Sequence, residues 1–348
     1  MHRRRIRVGV IGLGFGLQHV RGFQGCQDVE ILAICSQSQR KVTAAAKELG
    51  IAYAFTDYRE MLELDDLDGV SICSPVYLHH QMALDAIAAG KHVLCEKPLA
   101  LNPAQAREMY ERAEQAGVVH MTNFGWRFNP PAFRLKTLLD EGYIGHLYHI
   151  NARYLMGYRA DPAIPFGWRD QQAAGGFGAL GDLAVHLIDM MRWWAGEFVR
   201  VAASMKTLVA DRPIPGSSKV RPSELDDTCA FLAELGEGIQ GVFHASRCAI
   251  RSNYIHIDLH GNDGTLVFQF QRETMQVNLL GARGLHEELH DIPMPKRLRV
   301  PTSQQQFVEG IRSRKPVQPS FYEGLRVQYV ADAIVRSAKQ GRWVSVEE

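Results

Sequence analysis

The feature that most constrains this chain is the rhythm of its first third, in which short apolar runs alternate with amphipathic stretches. Residues 6–11, 31–35, 70–73, 92–95 and 118–122 are almost uniformly apolar, as strands covered on both faces must be. Between them, residues 42–49, 81–89 and 103–116 carry apolar side chains at helical spacing. Gly50, Gly90 and Gly117 stand just past those stretches, where a left-handed residue ends a helix at least cost. Strand, helix and strand in repetition predict a parallel sheet with right-handed crossovers, a doubly wound α/β domain over residues 1–122.

After residue 122 the rhythm changes. A helix over 132–141 and a long one over 180–194 precede β-rich runs at 199–208, 228–235, 239–245, 254–260 and 265–271. Turns such as Gly236-Glu237-Gly238 and Gly261-Asn262-Asp263-Gly264 join them. Runs of strands without helices between them predict an α+β domain over 123–348 with a large, mostly antiparallel sheet. Two helices, over 303–311 and 322–339, close it. Residues 211–224, rich in Pro, Ser and charge, read as a loop or partly mobile excursion.

Composition narrows the classes. A length of 348 residues suits about two domains. A net charge of +1 gives no electrostatic reason to bind nucleic acid or a membrane surface. The apolar run from Val8 to Leu17 is about half the length that spans a bilayer. With His2-Arg3-Arg4-Arg5 in front it resembles a signal peptide, but no small-residue cleavage site follows. The six cysteines include no C-x-x-C pair, so disulfides and zinc are not expected and the cytoplasm is.

Gly12-Leu13-Gly14-Phe15-Gly16-Leu17 follows the first strand directly. In a dinucleotide fold the first glycine makes the tight turn, and the second lets backbone approach a pyrophosphate at a helix N-terminus. Leu17 replaces the usual third glycine, with Gly16 one position early. An acidic residue about 20 positions on would bind the adenosine ribose and repel a 2′-phosphate. At that place stand Ser36, Gln37, Ser38, Gln39, Arg40 and Lys41. Hydroxyls and cations without a carboxylate suit NADP over NAD, although Ser38 also suits a helix cap and Arg40 and Lys41 a solvated face.

Three further stretches carry a resemblance. They are Ser74-Pro75 with His79, Gly90-Lys91-His92-Val93-Leu94-Cys95-Glu96-Lys97-Pro98, and the run from Gly175-Gly176-Phe177-Gly178 through Asp182 and His186 to Asp189. With the glycine turn they resemble the glucose-fructose oxidoreductase, inositol dehydrogenase and rhizopine catabolism family of NAD(P)-dependent oxidoreductases. The likeness runs on to residues 331–344. It implies hydride transfer between nicotinamide and a hydroxyl or keto carbon of a sugar, cyclitol or related polyol. By resemblance, the cofactor contacts are Gly12, Gly14, Phe15, Gly16, Ser36, Ser38, Arg40, Lys41, Ser74, Pro75, His79, Glu96 and Lys97. Val76 stands where the family commonly has Asn, which puts one polar contact near the nicotinamide ribose in doubt.

Such a reaction needs a group to take up or return the hydroxyl proton. Asp182 and His186, four apart on a helix, share one face. By similarity His186 is the general acid/base, Asp182 orients substrate and tunes it, and Lys97 binds the reacting oxygen. Lys97, set among apolar residues, is the alternative base, and a cis Lys97–Pro98 bond would fix its direction. Asp189 reads as a structural hydrogen-bonder. Arg127 with Phe128, and Trp168 with Arg169, stand where the family often lines a sugar pocket. The family also often pairs through its second-domain sheet, which implies a homodimer or homotetramer. Two other outcomes stay open at this point: a cofactor-binding regulator without turnover, and a redox-neutral glycosidase that uses bound NAD.

One motif points elsewhere. His286-Glu287-Glu288-Leu289-His290 matches H-E-x-x-H, a zinc signature that works only on a helix. Gly281 and Gly284 before it and Pro293 and Pro295 after it predict strand or loop instead, so no metal is expected. His256 and His260 read as sheet residues.

Overall fold

The computed structural model describes residues 4–347, so His2 and Arg3 of the leader-like head lie outside the described residues. Two compact units are present: the chain as far as Gly125 with Pro301–Gln328, and Trp126–Val300 with the chain from Tyr329.

The first unit is built from β1 (Ile6–Ile11), α1 (Gly16–Gln24), β2 (Val29–Cys35), α2 (Gln39–Leu49), β3 (Tyr53–Phe55), α3 (Tyr58–Leu62), β4 (Gly69–Ile72), α4 (His79–Ala88), β5 (His92–Cys95), α5 (Pro103–Ala116) and β6 (His120–Thr122). Its six strands run parallel in the order β3-β2-β1-β4-β5-β6. The order reverses between β1 and β4, and in open α/β sheets ligands bind at such a switch point. Helix ends follow local chemistry. Asn102 caps α5 by accepting from the Gln105 N–H (3.0 Å), and Pro103 opens it. Gly50 and Gly117 end α2 and α5 at φ +66° and +63°.

The second unit continues with α6 (Pro130–Asp140), β7 (Leu147–Leu155), α7 (Gln172–Gly175), a π-helical turn (Leu180–Ala184) leading into α8 (Val185–Ala195), β8 (Phe198–Lys206), β9 (Asp211–Pro213), β10 (Val220–Pro222), β11 (Thr228–Leu235), β12 (Ile239–Ser246), β13 (Tyr254–Gly261), β14 (Gly264–Gln271), β15 (Gln276–Arg283) and β16 (His290–Asp291). Two helices and a strand close the chain: α9 (Ser303–Ser313) in the first unit, α10 (Phe321–Gln340) running from the first into the second, and β17 (Val344–Ser345). Nine strands form one sheet in the order β16-β15-β14-β13-β7-β12-β11-β8-β17. Every pairing is antiparallel except β7 with β12.

The central strand β7 shows how this sheet divides inside from outside. Ile150, Ala152 and Tyr154 are buried while His149, Asn151 and Arg153 are exposed, the alternation of a sheet covered on one face. On the covered face Phe268, fully buried, lies edge-on to Trp126 (5.9 Å between centroids) and Trp194 (5.7 Å). Residues 211–224 are not a mobile excursion: β9 and β10 pair as a hairpin, and Arg212 within it is fully buried.

Phe268→Ala should cost about 3–5 kcal/mol, the range for an aromatic removed from a packed core. Urea unfolding followed by tryptophan fluorescence would measure it. A loss below about 1 kcal/mol would mean that the aromatic cluster is not what holds the covered face together.

Candidate active site

The glycine-rich turn leaves β1 and enters α1. Gly12 has φ +97°, and a Cβ there would lie 2.7 Å from the Cys73 carbonyl oxygen, so only glycine fits. At Gly14 a Cβ would meet nothing within 4 Å; protein packing therefore does not require that glycine, whereas a ligand lying against the backbone would. Neither Gly14 nor Phe15 donates its N–H to a backbone carbonyl among the described residues. The Ser74 hydroxyl at the end of β4 is buried without a hydrogen-bond partner. Open space, unspent N–H groups and an orphaned hydroxyl fit a dinucleotide phosphate. Leu17 does not spoil the turn, because Gly16 takes over close helix–strand packing. A Cβ on Gly16 would lie 3.1 Å from Val10 Cγ1 and 3.3 Å from Cys73 Cβ.

Beyond β2, Ser36 is partly exposed and Arg40 and Lys41 are exposed. Ser38 caps α2, its Oγ accepting from the Lys41 N–H at 3.4 Å.

Beyond β5, Glu96 and Lys97 have different fates. Glu96 is buried, and its carboxylate accepts from His19 Nε2 (2.9 Å), from Asn123 Nδ2 and from the Lys97 N–H (3.2 Å). His19, on α1 and almost fully buried, also meets Ser71 Oγ through Nδ1 (2.8 Å). Burial by itself would lower the His19 pKa; the Cys73 sulfur and the Glu96 carboxylate outweigh it and hold the imidazole up at about 10. Burial would likewise raise Glu96, but the His19 hydrogen bond and charge prevail and lower it. The result is a buried imidazolium–carboxylate pair that ties α1 to the turn carrying Lys97. Lys97 itself is partly exposed, and the Lys97–Pro98 bond is cis. His79 packs between two carbonyls, Pro98 O at Nδ1 and Ser74 O at Nε2, both at 2.9 Å. Burial lowers its pKa, so the neutral ring donates to one carbonyl at a time and braces the two loops.

In the second unit, Asp182 lies in the π-helical turn and His186 in the first turn of α8. From Gly178 to Met191 every residue is buried except these two. The leading turn is clamped from beneath. Buried Asp226 accepts the Gly178 N–H (2.7 Å) and the Leu180 N–H (2.9 Å), and its carbonyl accepts the Ala179 N–H (2.9 Å). A Cβ at Gly178 would lie 1.8 Å from the Asp226 carbonyl oxygen, so this glycine serves the clamp. The His186 ring sits beside Tyr154 (6.1 Å between centroids), whose hydroxyl burial pushes up to about 12.

The expected pocket residues divide. Arg127 is buried and its guanidinium grips Asp189 of α8, with Nη2–Oδ1 at 2.7 Å and Nε–Oδ2 at 2.9 Å. It is a brace for the helix, which also gives Asp189 the structural role expected of it. Trp168 is partly exposed, and Arg169 lies over its ring at 4.1 Å with its Nε 3.7 Å from Asp182 Oδ2. Sequence reasoning missed Tyr158, whose hydroxyl donates to Asp182 Oδ2 at 2.8 Å. Residues 286–291, which contain the H-E-x-x-H match, form turn and β16, not helix.

Two family models match the chain: the oxidoreductase family with an NAD-binding Rossmann fold at residues 6–124, and the GFO/IDH/MocA C-terminal domain at residues 133–267. A levoglucosan dehydrogenase of Pseudarthrobacter phenanthrenivorans is 30% identical, over 99% of this chain and 99% of its own. A myo-inositol 2-dehydrogenase of Thermotoga maritima is 28% identical, again over 99% of both. A solved levoglucosan dehydrogenase in complex with NADH and L-sorbose superposes with a TM-score of 0.89 at 30% identity, covering 99% of this chain and 100% of that one.

The His19–Glu96 pair makes stability depend on pH. An unfolded His titrates near pH 6.5 and an unfolded Glu near 4.3, while folded His19 is raised to about 10 and Glu96 is lowered. The His19 contribution is thus full below about pH 6.5 and lost as pH rises toward 10. The Glu96 contribution is present above about pH 4.3 and lost as pH falls through its folded value. His19→Gln should cost about 3–5 kcal/mol near pH 6, as for a buried charge left unpaired. Urea titrations should show the gap to wild type narrowing as pH approaches 10; a gap independent of pH would contradict the ion pair.

Proposed function

The chain belongs to the GFO/IDH/MocA oxidoreductase family, and from that premise we propose that Lys97, Asp182 and His186 are its catalytic residues. It is a nicotinamide-dependent oxidoreductase acting on the hydroxyl or keto carbon of a sugar, cyclitol or related polyol. The observation that carries the assignment is the burial pattern from Gly178 to Met191, where only a carboxylate and an imidazole reach the surface. A helix that buries everything else has no packing reason to keep Asp182 and His186 at one stripe.

When bound, the nicotinamide accepts or returns the hydride. The chain does the rest. His186 holds the hydroxyl proton when the alcohol is oxidised and returns it to the carbonyl oxygen in reduction, the work of a general acid/base. Asp182 orients substrate and His186, and the Lys97 ammonium stabilises charge developing on the reacting oxygen. Trp168 and Arg169 offer a flat, cationic wall to a polyol. In the first unit the Gly12–Gly16 turn and Ser74 hold the dinucleotide, and His79 and Glu96 keep their loops in place for it. Ser36, Ser38, Arg40 and Lys41 favour a 2′-phosphate, hence NADP over NAD. The exposed face of the nine-stranded sheet, where Leu232 and Val242 stand open, suits pairing into a dimer or tetramer. No helix among the described residues is long and apolar enough to cross a membrane, and the cytoplasm is the compartment we propose.

Fluorescence titration with NADPH and NADH, followed by a 340 nm screen against sugars, cyclitols and keto-sugars, tests this directly. Ser36→Asp should weaken NADPH on the order of tenfold more than NADH, the worth of one charge-assisted contact turned repulsive. Equal loss of both would remove the 2′-phosphate site. His186→Ala should lower turnover about 10²- to 10⁴-fold, as for a general acid/base, with cofactor affinity retained. Unchanged turnover would take His186 out of the mechanism.

A further inference from the structure

Asp182 has a neighbour that the assignment above does not use. Tyr158 is 40% exposed, and its hydroxyl donates to Asp182 Oδ2 at 2.8 Å, the same oxygen that Arg169 Nε approaches at 3.7 Å. An aspartate turns readily about its terminal torsion, so the Tyr158 hydrogen bond, with the Arg169 charge 3.7 Å away on the same oxygen, selects one orientation of the carboxylate.

Both Tyr158 and Arg169 are themselves held from behind. The Tyr158 segment is fixed by its backbone: the Met156 N–H donates to Ser246 O (2.7 Å), and the Arg159 N–H to Arg247 O (2.9 Å). Gly157 lies so close to the neighbouring segment that a Cβ would meet the Ala249 carbonyl oxygen at 2.9 Å. Next to Tyr158, the Arg159 guanidinium grips both oxygens of buried Asp170 at 2.5 and 2.7 Å. Asp170 is also the residue after Arg169. The Arg169 carbonyl accepts from Nη1 of fully buried Arg247 (3.0 Å), whose Nε donates to Asp227 Oδ1 (2.8 Å). Tyr158 and Arg169 are thus carried by one buried lattice of charges and meet at one partly exposed carboxylate.

We propose that Tyr158 is a positioning residue for the reaction, holding Asp182 through its hydroxyl in the orientation that serves substrate and His186. The inference rests on the reading of Asp182 and His186 given above. Burial and the Asp182 charge push the Tyr158 phenol up, so the hydroxyl keeps its proton and remains a donor across the working range of an enzyme. A merely structural tyrosine would show itself in stability. A positioning one shows itself in kcat while cofactor binding is left alone.

The test is a double-mutant cycle of Tyr158→Phe, Asp182→Asn and the pair, each measured for kcat, KM, NADPH or NADH affinity and thermal stability. The polyol used is one that the wild-type protein turns over. Tyr158→Phe keeps the ring and loses only the hydroxyl. We expect kcat to fall on the order of 10- to 100-fold, the worth of one hydrogen bond to a charged group. KM should change less than kcat, and cofactor affinity and melting temperature should stay near wild type. In the double variant the loss should be no greater than in Asp182→Asn alone, because the hydroxyl acts only through that carboxylate. Independent, multiplying losses, or wild-type kcat in Tyr158→Phe beside a deficient Asp182→Asn, would overturn the role of Tyr158 and leave the assignment of Asp182 intact. Full turnover in Asp182→Asn, or no wild-type turnover on any polyol, would overturn both.

Discussion

The second unit depends on a set of charges placed where water cannot reach them. Arg212, Arg247, Asp170 and Asp227 are fully buried and Arg159 is nearly so. Three guanidiniums therefore share two carboxylates in a dry interior. Desolvating each ion costs several kcal/mol, and only close, geometrically matched partners offset that cost. Close partners meet most of these groups, while Arg159 Nε, Arg212 Nε and Arg247 Nη2 are buried without a hydrogen-bond partner. Arg159 Nη2 donates to both oxygens of Asp170, Arg212 Nε stands in ion-pair contact at 3.2 Å, and Arg212 Nη2 donates to the Arg159 carbonyl at 2.8 Å. Asp227 takes Arg247 on one oxygen and the N–H groups of Leu208 and Val209, both at 2.8 Å, on the other. None of these can move without leaving a buried charge unpaired, so the segments they belong to are fixed relative to one another. Those segments carry Tyr158, Trp168 and Arg169.

The same logic recurs in the first unit on a smaller scale. His19 and Glu96 form a buried pair, and Glu96 is followed directly by Lys97. A side chain proposed for the site adjoins in sequence a charge anchored in the interior. Glu96 before Lys97, Arg159 after Tyr158 and Asp170 after Arg169 are three instances of one arrangement. Adjacent residues point in different directions, so one can be rooted while its neighbour is presented.

This arrangement explains what could and could not be read from the sequence. The first unit was legible because strands buried on both faces are simply apolar and because glycines mark the helix ends. Its short edge strand β3 left no such signature: three residues, none of them buried. In the second unit the central strand β7 was not recognised, since Leu147–Leu155 carries His, Asn and Arg on its open face and reads as polar coil. The segment of β9 and β10 reads in sequence as a loop or partly mobile excursion because arginine and proline normally mark surface, and only the lattice shows why Arg212 is buried. For the proposed site, Asp182 and His186 could be grouped from the sequence because they lie one helical turn apart. Tyr158 could not, being 24 residues from the carboxylate it binds. Resemblance placed Arg127, His79 and Glu96 at the site, but their partners Asp189, the Ser74 and Pro98 carbonyls, and His19 are matters of folding that spacing does not encode.

The π-helical turn is where these constraints meet. Leu180, Gly181, Leu183, Ala184 and Val185 are all buried, which leaves a narrow stripe at which this stretch can touch solvent. The preceding residues are held by Asp226, which accepts from both Gly178 and Leu180 and so fixes where the turn begins. The other end is fixed by Asp189 in the grip of Arg127. A helix pinned at both ends cannot rotate to choose which residues it exposes; it can only change its winding between the pins. A wider turn over Leu180–Ala184 does that, and single π-turns of this kind occur preferentially at functional sites. The winding thus sets Asp182 and His186 together on the one exposed stripe, while every apolar neighbour keeps its place in the core.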